Sequence, residues 1–170
     1  MERCWILLGM MGSGKSALGR SIADISGREF IDTDILVQQT VCRPISQVFK
    51  LYGEDAFREH ESAVLRKLEP CGAVVSTGGG IVIRPENWPQ LRRLGTTLYL
   101  EAPVDALIER LERSKKRRPL LEGPQWRERL REILEQREPL YRQADLTVRV
   151  GGKDVESTAR EVLAALETAP

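Results

Sequence analysis

Apolar and polar positions along the chain follow two regimes. Short continuous apolar runs alternate with longer stretches in which apolar residues recur every three to four positions. The run Cys4-Trp5-Ile6-Leu7-Leu8 has no polar alternation, as expected of a strand covered by helices on both faces. From around Lys15 to about Ile25 the period changes, and Leu18, Ile22 and Ile25 share one helical face. Phe30-Ile31 predicts a short second strand ending at Asp32-Thr33-Asp34. Ile45–Leu68 reads as helix broken at Gly53, a helical insert between strands. Ala73-Val74-Val75-Ser76 is a third strand delivering Gly78-Gly79-Gly80, and Thr97-Leu98-Tyr99-Leu100 is a fourth, after which Pro103 opens a helix. Helical patterns near Ala106–Leu111 and Arg127–Glu135 flank a basic loop from Ser114 to Pro124. Leu146–Val150 makes a fifth strand and Val155–Leu166 a closing helix. Such alternation predicts an α/β fold of βα units around a mostly parallel sheet, and it leaves the spatial order of the strands open.

Composition narrows the classes. A length of 170 residues with 41% hydrophobic residues suits one domain, 1–170, with a single core. The net charge of +1 lacks the basic excess of a protein that coats nucleic acid, so any strong anion site must be local. No apolar run approaches the roughly 20 residues a bilayer span needs, which argues against a membrane partner. The three cysteines, Cys4, Cys42 and Cys71, are widely spaced with no Cys-x-x-Cys pattern, as expected of reduced thiols in a cytoplasmic protein. The apolar start runs directly into a glycine-rich turn rather than into a secretory cleavage site.

That turn carries the most specific local signal. Gly9-Met10-Met11-Gly12-Ser13-Gly14-Lys15-Ser16 matches G-x-x-x-x-G-K-[ST] between an apolar strand and an amphipathic helix, the context a phosphate loop requires. The glycines let backbone N–H groups converge on phosphate oxygens, the helix N-terminus adds positive potential, Lys15 supplies a point charge and Ser16 a hydroxyl for magnesium. A nucleoside triphosphate with Mg²⁺ is the expected ligand. Asp32 and Asp34, two apart at a strand end, leave on the same face if extension continues through Thr33, and both then reach the phosphate crevice.

Together with Gly9–Ser16, the motifs Asp32-Thr33-Asp34, Phe57-Arg58-x-x-Glu61, Gly78-Gly79-Gly80, Arg118-Pro119-Leu120-Leu121 and Arg137-x-x-x-Tyr141, in this order and approximate spacing, resemble those of the shikimate kinases. The resemblance extends from the first strand to about Val150. It implies a single-domain, three-layer fold of the nucleoside-monophosphate-kinase type: a five-stranded parallel sheet flanked by helices, a substrate-binding helical region over about residues 33–70 and a lid over about 113–124. It also implies MgATP-dependent phosphorylation of the 3-hydroxyl of shikimate, a step toward chorismate and the aromatic amino acids. Residue by residue, Arg58 and Arg137 match the carboxylate-binding arginines, whose planar guanidinium can hold two oxygens at once. Asp34 matches the residue that holds the ring hydroxyls and accepts the proton, and Gly79 and Gly80 match the backbone lying against the substrate. Asp32 matches the magnesium-side carboxylate acting with Ser16. Gly12, Ser13, Gly14, Lys15, Ser16 and Ala17 would bind ATP; Ala17 stands where the family commonly has Thr. Lys15 and Arg118 would neutralise the moving phosphoryl group, Arg118 from the lid, and Arg110 resembles the arginine that stacks on adenine. ATP, shikimate and Mg²⁺ are the expected ligands of a monomer.

Other features have blander readings. Most of the basic run Arg113, Lys115, Lys116, Arg117, Arg118 reads as solvated, with Arg117 one position from the lid assignment and competing with it. His60 lacks a Cys or His partner and reads as structural, whereas Glu61, three after Arg58, is spaced to orient its guanidinium. Trp5 is expected in the core, and Trp88 and Trp126 as half-buried helix-start residues. The competing functions are a kinase of another small hydroxy acid such as gluconate, a nucleotide-dependent switch, and a nucleic-acid kinase disfavoured by the charge balance. A switch would leave the Gly78–Gly80 wall and the Arg58/Arg137 pair without evident use.

Overall fold

Five strands, β1 (Cys4–Leu8), β2 (Phe30–Asp32), β3 (Val74–Ser76), β4 (Gly95–Glu101) and β5 (Leu146–Arg149), pair in the order β2-β3-β1-β4-β5, every pair parallel. The computed structural model describes residues 2–115, 118–152 and 154–167, with Glu167 described by its backbone alone. The central place of β1 explains its composition: Ile6, Leu7 and Leu8 are fully buried, and Cys4 nearly so. Burying each such aliphatic side chain is worth about 1.5–3 kcal/mol, so this strand anchors the core. Seven helices complete the described chain: α1 (Lys15–Ser26), α2 (Thr33–Val41), α3 (Ile45–Lys67), α4 (Asn87–Leu94), α5 (Val104–Arg113), α6 (Trp126–Tyr141) and α7 (Val155–Glu167). α7 packs on α1, and its Val162 and Leu163 join the core beside Ile22. β3 and β4 lie on opposite sides of β1, so the chain changes direction there and a crevice opens beyond the carboxyl ends of the strands.

The helical insert has a small core of its own, in which Val37 of α2 packs with Val48, Phe57 and Val64 of α3. The Phe49 and Phe57 rings are 4.8 Å apart across the kink at Gly53. This satellite core holds the insert at the mouth of the crevice independently of the sheet.

Several expectations are corrected. The chain does not stay extended through Thr33: β2 stops at Asp32, whose side chain caps α2 by accepting from the Asp34 N–H at 3.0 Å. A free helix N-terminus and a capping carboxylate outweigh the strand tendency of Phe30-Ile31. Asp34 therefore sits in the first turn of α2. Trp88 is buried rather than half-buried, its indole N–H donating to Val82 O. Trp5 is only half-buried: it packs against the edge of the core, and the Arg28 guanidinium lies 3.7 Å from its ring centroid. α6 extends past Glu135 to Tyr141 despite Pro139, which places Arg137 and Tyr141 one turn apart on the same helix. Arg117 and Lys116 lie outside the described residues.

Candidate active site

The phosphate loop leaves the end of β1 and enters α1. Gly12 (φ +82°) and Gly14 (φ +91°) occupy the left-handed region that a Cβ disfavours. Gly14 caps α1 without a side-chain acceptor, so the first N–H groups of the helix remain available to an anion. The Lys15 ammonium is buried and donates to Gly9 O at 2.7 Å and Met10 O at 3.0 Å, which draws the loop around it. Ser13 is buried as well, its hydroxyl 3.5 Å from that ammonium.

Beside the loop, three oxygen groups converge, one from the first turn of α1 and two from the ends of β2 and β3. Ser16 donates to Asp32 Oδ2 at 2.9 Å and lies 3.4 Å from the Ser76 hydroxyl. Ser76 was not among the residues singled out in the sequence; its signal was its place at the end of a buried strand, immediately before the glycine run. These groups, with Lys15, Ala17, Asp34, Gly79, Arg110 and Arg118, line one cleft.

A second pocket adjoins it across a shared wall of Met11, Asp34, Gly79 and Arg118. Arg58, Glu61, Gly80 and Arg137 line its polar side, and Phe49, Phe57, Pro119 and Leu120 its apolar side. The apolar half escaped the sequence reading because α3 and the turn at Pro119–Leu121 are brought together only by tertiary packing. The glycine run is needed for contact distance: a Cβ on Gly80 would lie 2.1 Å from Arg58 Nη1, and one on Gly78 would lie 2.2 Å from Glu61 Oε1. Arg58 is buried, and its guanidinium donates through Nη1 to Glu61 Oε2 at 2.5 Å and through Nε and Nη2 to Glu54 Oε1 at 3.2 and 2.8 Å. Burial opposes its charge, but the two carboxylates outweigh that and raise its pKa. Arg137 donates to Gly79 O at 3.3 Å.

Glu61 is a strongly perturbed carboxyl of the pocket. Burial pushes its pKa up to about 6, aided by the negative charge of Asp34 and opposed by Arg58 and Arg137. The folded chain therefore binds more protons here than the unfolded chain between the ordinary value of 4.5 and about 6, and ionising Glu61 lowers stability as pH rises through that window. The cost of Glu61→Gln, measured by urea unfolding, is accordingly expected to be smaller at pH 7 than at pH 4, by about 2 kcal/mol. An equal cost at both pH values would contradict this origin of the shift.

Arg118, at the start of the turn Pro119–Leu121, faces both pockets. Burial lowers its pKa against the attraction of Asp34, and among the described residues its Nε has no hydrogen-bond partner. Arg110 donates to Gly12 O and Ser13 O at 3.3 and 3.0 Å. Beyond it lies a further, partly apolar cleft formed with Ser13, Val150, Gly151 and Val155, next to the Arg110 guanidinium. His60 is half-buried on α3 and lines none of these clefts.

The family model described as shikimate kinase matches residues 11–167. A shikimate kinase of Caldanaerobacter subterraneus subsp. tengcongensis is 38% identical over 161 residues, covering 94% of each chain. One of Cereibacter sphaeroides is 41% identical over 173 residues, covering 100% of this chain and 85% of the relative. Among solved structures, the shikimate kinase of Acinetobacter baumannii in complex with shikimate superposes with a TM-score of 0.93 at 34% identity, over 99% of this chain and 94% of that one.

Proposed function

This chain belongs to the shikimate kinase family, and on that premise we propose that it transfers the γ-phosphoryl group of MgATP to the 3-hydroxyl of shikimate, with Asp34 at the junction of the two pockets. The observation that carries this is the shared wall: a phosphate-loop cleft and a pocket with two arginines on one side meet at Asp34, Gly79 and Arg118. Shikimate is a small carboxylate with vicinal hydroxyls on a ring, and the pocket offers cations, a carboxylate and an apolar side to match. Donor arithmetic supports the role of Arg58. Of its five N–H donors, Glu54 and Glu61 occupy three, which leaves two for the two oxygens of a substrate carboxylate.

Phosphoryl transfer through a loose transition state needs alignment and neutralisation more than covalent help from the protein. Asp34 would hold the acceptor hydroxyl and take its proton, while Lys15 and Arg118 would face the charge on the transferring group. Arg118 would act from a lid over about 113–124 whose closure excludes water, a role that Arg117 competes for from outside the described residues. Gly12, Ser13, Gly14, Ser16 and Ala17 would cradle the phosphates, and Arg110 would lie on the adenine in the cleft beside Val155.

The hard oxygens of Ser16, Asp32 and Ser76 fit Mg²⁺, which retains waters and takes further ligands from phosphates. Among the described residues no cluster of three His, Cys, Asp or Glu side chains forms an all-protein cage for a metal. When bound, Mg²⁺ would neutralise charge on the β- and γ-phosphates. We also propose a cytoplasmic monomer that uses no nucleic acid or membrane. Both reactants are small water-soluble anions, and among the described residues no helix is long and apolar enough to cross a membrane.

The acceptor side is tested with Arg58→Lys, which keeps the charge and loses the planar fork. The KM for shikimate is expected to rise roughly tenfold or more, the KM for ATP to stay within about twofold, and kcat to change little, because carboxylate binding is shared by ground and transition states. An unchanged shikimate KM would place the carboxylate elsewhere.

A further inference from the structure

Tyr141 ends the Arg137-x-x-x-Tyr141 motif, and no step above uses it. Its ring is fully buried and stacked on Tyr99, with centroids 5.1 Å apart and planes 16° apart. Packing accounts for the ring and leaves the hydroxyl to be explained. That hydroxyl donates to the Gly79 carbonyl and lies 3.8 Å from Met10 Sδ. The same carbonyl accepts from Arg137 Nη1 at 3.3 Å. A carbonyl oxygen has two lone pairs, and here α6 fills both, from side chains one turn apart.

Gly79 is also wedged from the other side. A Cβ on it would stand 3.3 Å from both Gly9 O and Met11 N of the phosphate loop, and 3.6 Å from the Tyr141 hydroxyl. It is therefore the backbone spacer between the two pockets, with the phosphate loop on one side and α6 on the other.

Resting on the kinase reading above, we infer that Tyr141 is a positioning residue for the acceptor site: its hydroxyl keeps a donor on the Gly79 carbonyl, so that the Arg137 guanidinium can leave that carbonyl for the substrate carboxylate. Without that hydroxyl the half-buried carbonyl keeps Arg137 as its one remaining donor, and the guanidinium is held there. An N–H turned inward to Gly79 is lost to the substrate. Burial pushes the Tyr141 pKa up to about 12 against the opposing charge of Arg137, so the hydroxyl remains a donor throughout the working range of pH.

Tyr141→Phe deletes one oxygen and keeps the stacked ring. The expected result in steady-state kinetics is a shikimate KM raised about five- to tenfold, with kcat within about threefold and an unchanged ATP KM. Tyr99→Phe, the control in the same stack, should leave the shikimate KM unaltered. In an Arg137→Ala background, Tyr141→Phe should no longer raise it, because its effect runs through Arg137. Three results would overturn the inference: an unchanged shikimate KM in Tyr141→Phe, the same factor in both backgrounds, or both KM values rising together with a lowered melting temperature, the sign of a packing role. If the wild-type enzyme itself ignored shikimate, the kinase reading would fall and this inference with it. Turnover of shikimate by the wild type beside an indifferent Tyr141→Phe would sink the inference alone.

Discussion

Asp34→Asn is expected to lower kcat by roughly a hundredfold or more while the protein stays folded, the loss combining proton acceptance with orientation of the hydroxyl. The change preserves shape and part of the hydrogen bonding, and removes the negative charge at the junction of the two pockets. Structural cost should be small. Asp34 carries its charge in the first turn of α2, where the helix N-terminus favours an anion, but it also faces the buried Glu61 carboxyl, whose pKa it raises. Removing it relieves the like-charge contact with Glu61 and gives up the attraction for Arg118, so thermal stability should change little as activity falls. A large loss of activity with a small change in stability is the signature of a group retained for chemistry rather than for the fold. Stopped turnover assays and a thermal melt of the same preparation check both halves. An Asp34→Asn enzyme turning over like the wild type would move the acceptor hydroxyl to another part of the pocket.

Lys15→Ala should also lower turnover by roughly a hundredfold or more, since one electrostatic donor aimed at a transition state is worth about 3–4 kcal/mol. Here a loss of stability accompanies it. The ammonium bridges the Gly9 and Met10 carbonyls, and its removal leaves buried acceptors to find other donors, at about 1–3 kcal/mol for a group left unsatisfied. The sheet does not depend on that contact, so circular dichroism should show an intact fold with a lower midpoint. Near-wild-type turnover in the folded variant would reject the phosphate-loop assignment.

The two variants separate what was legible in the sequence from what was not. β1, the phosphate loop and α1 could be read directly, because a continuous apolar run, a glycine turn and a three-to-four period follow each other without competing signals. α2 was harder to see. Asp32-Thr33-Asp34 reads as a strand end, whereas the capping bond to the Asp34 N–H starts a helix there. The helical pattern read over Arg127–Glu135 stops short of Pro139; the structure carries α6 through that proline and thereby places Tyr141 under Gly79. The arginines and glycines of the pocket were visible as motifs. Their clamps were not: Glu54 on Arg58, Ser76 beside Ser16 and Tyr141 on Gly79 are tertiary or helix-face relations, apparent only when the chain is folded. Strand order belongs to the same class, because hydrophobic pattern specifies which face is buried and says nothing of which strand is the neighbour.

The central claim, that phosphoryl transfer is directed to shikimate held between Arg58, Arg137 and Asp34, is tested most directly by ADP release from MgATP with shikimate, with gluconate or with no acceptor, followed by NMR of the product. The account predicts ADP release that depends on shikimate and a product phosphorylated at the 3-hydroxyl. ADP release that is equal without acceptor, or greater with gluconate than with shikimate, would contradict it.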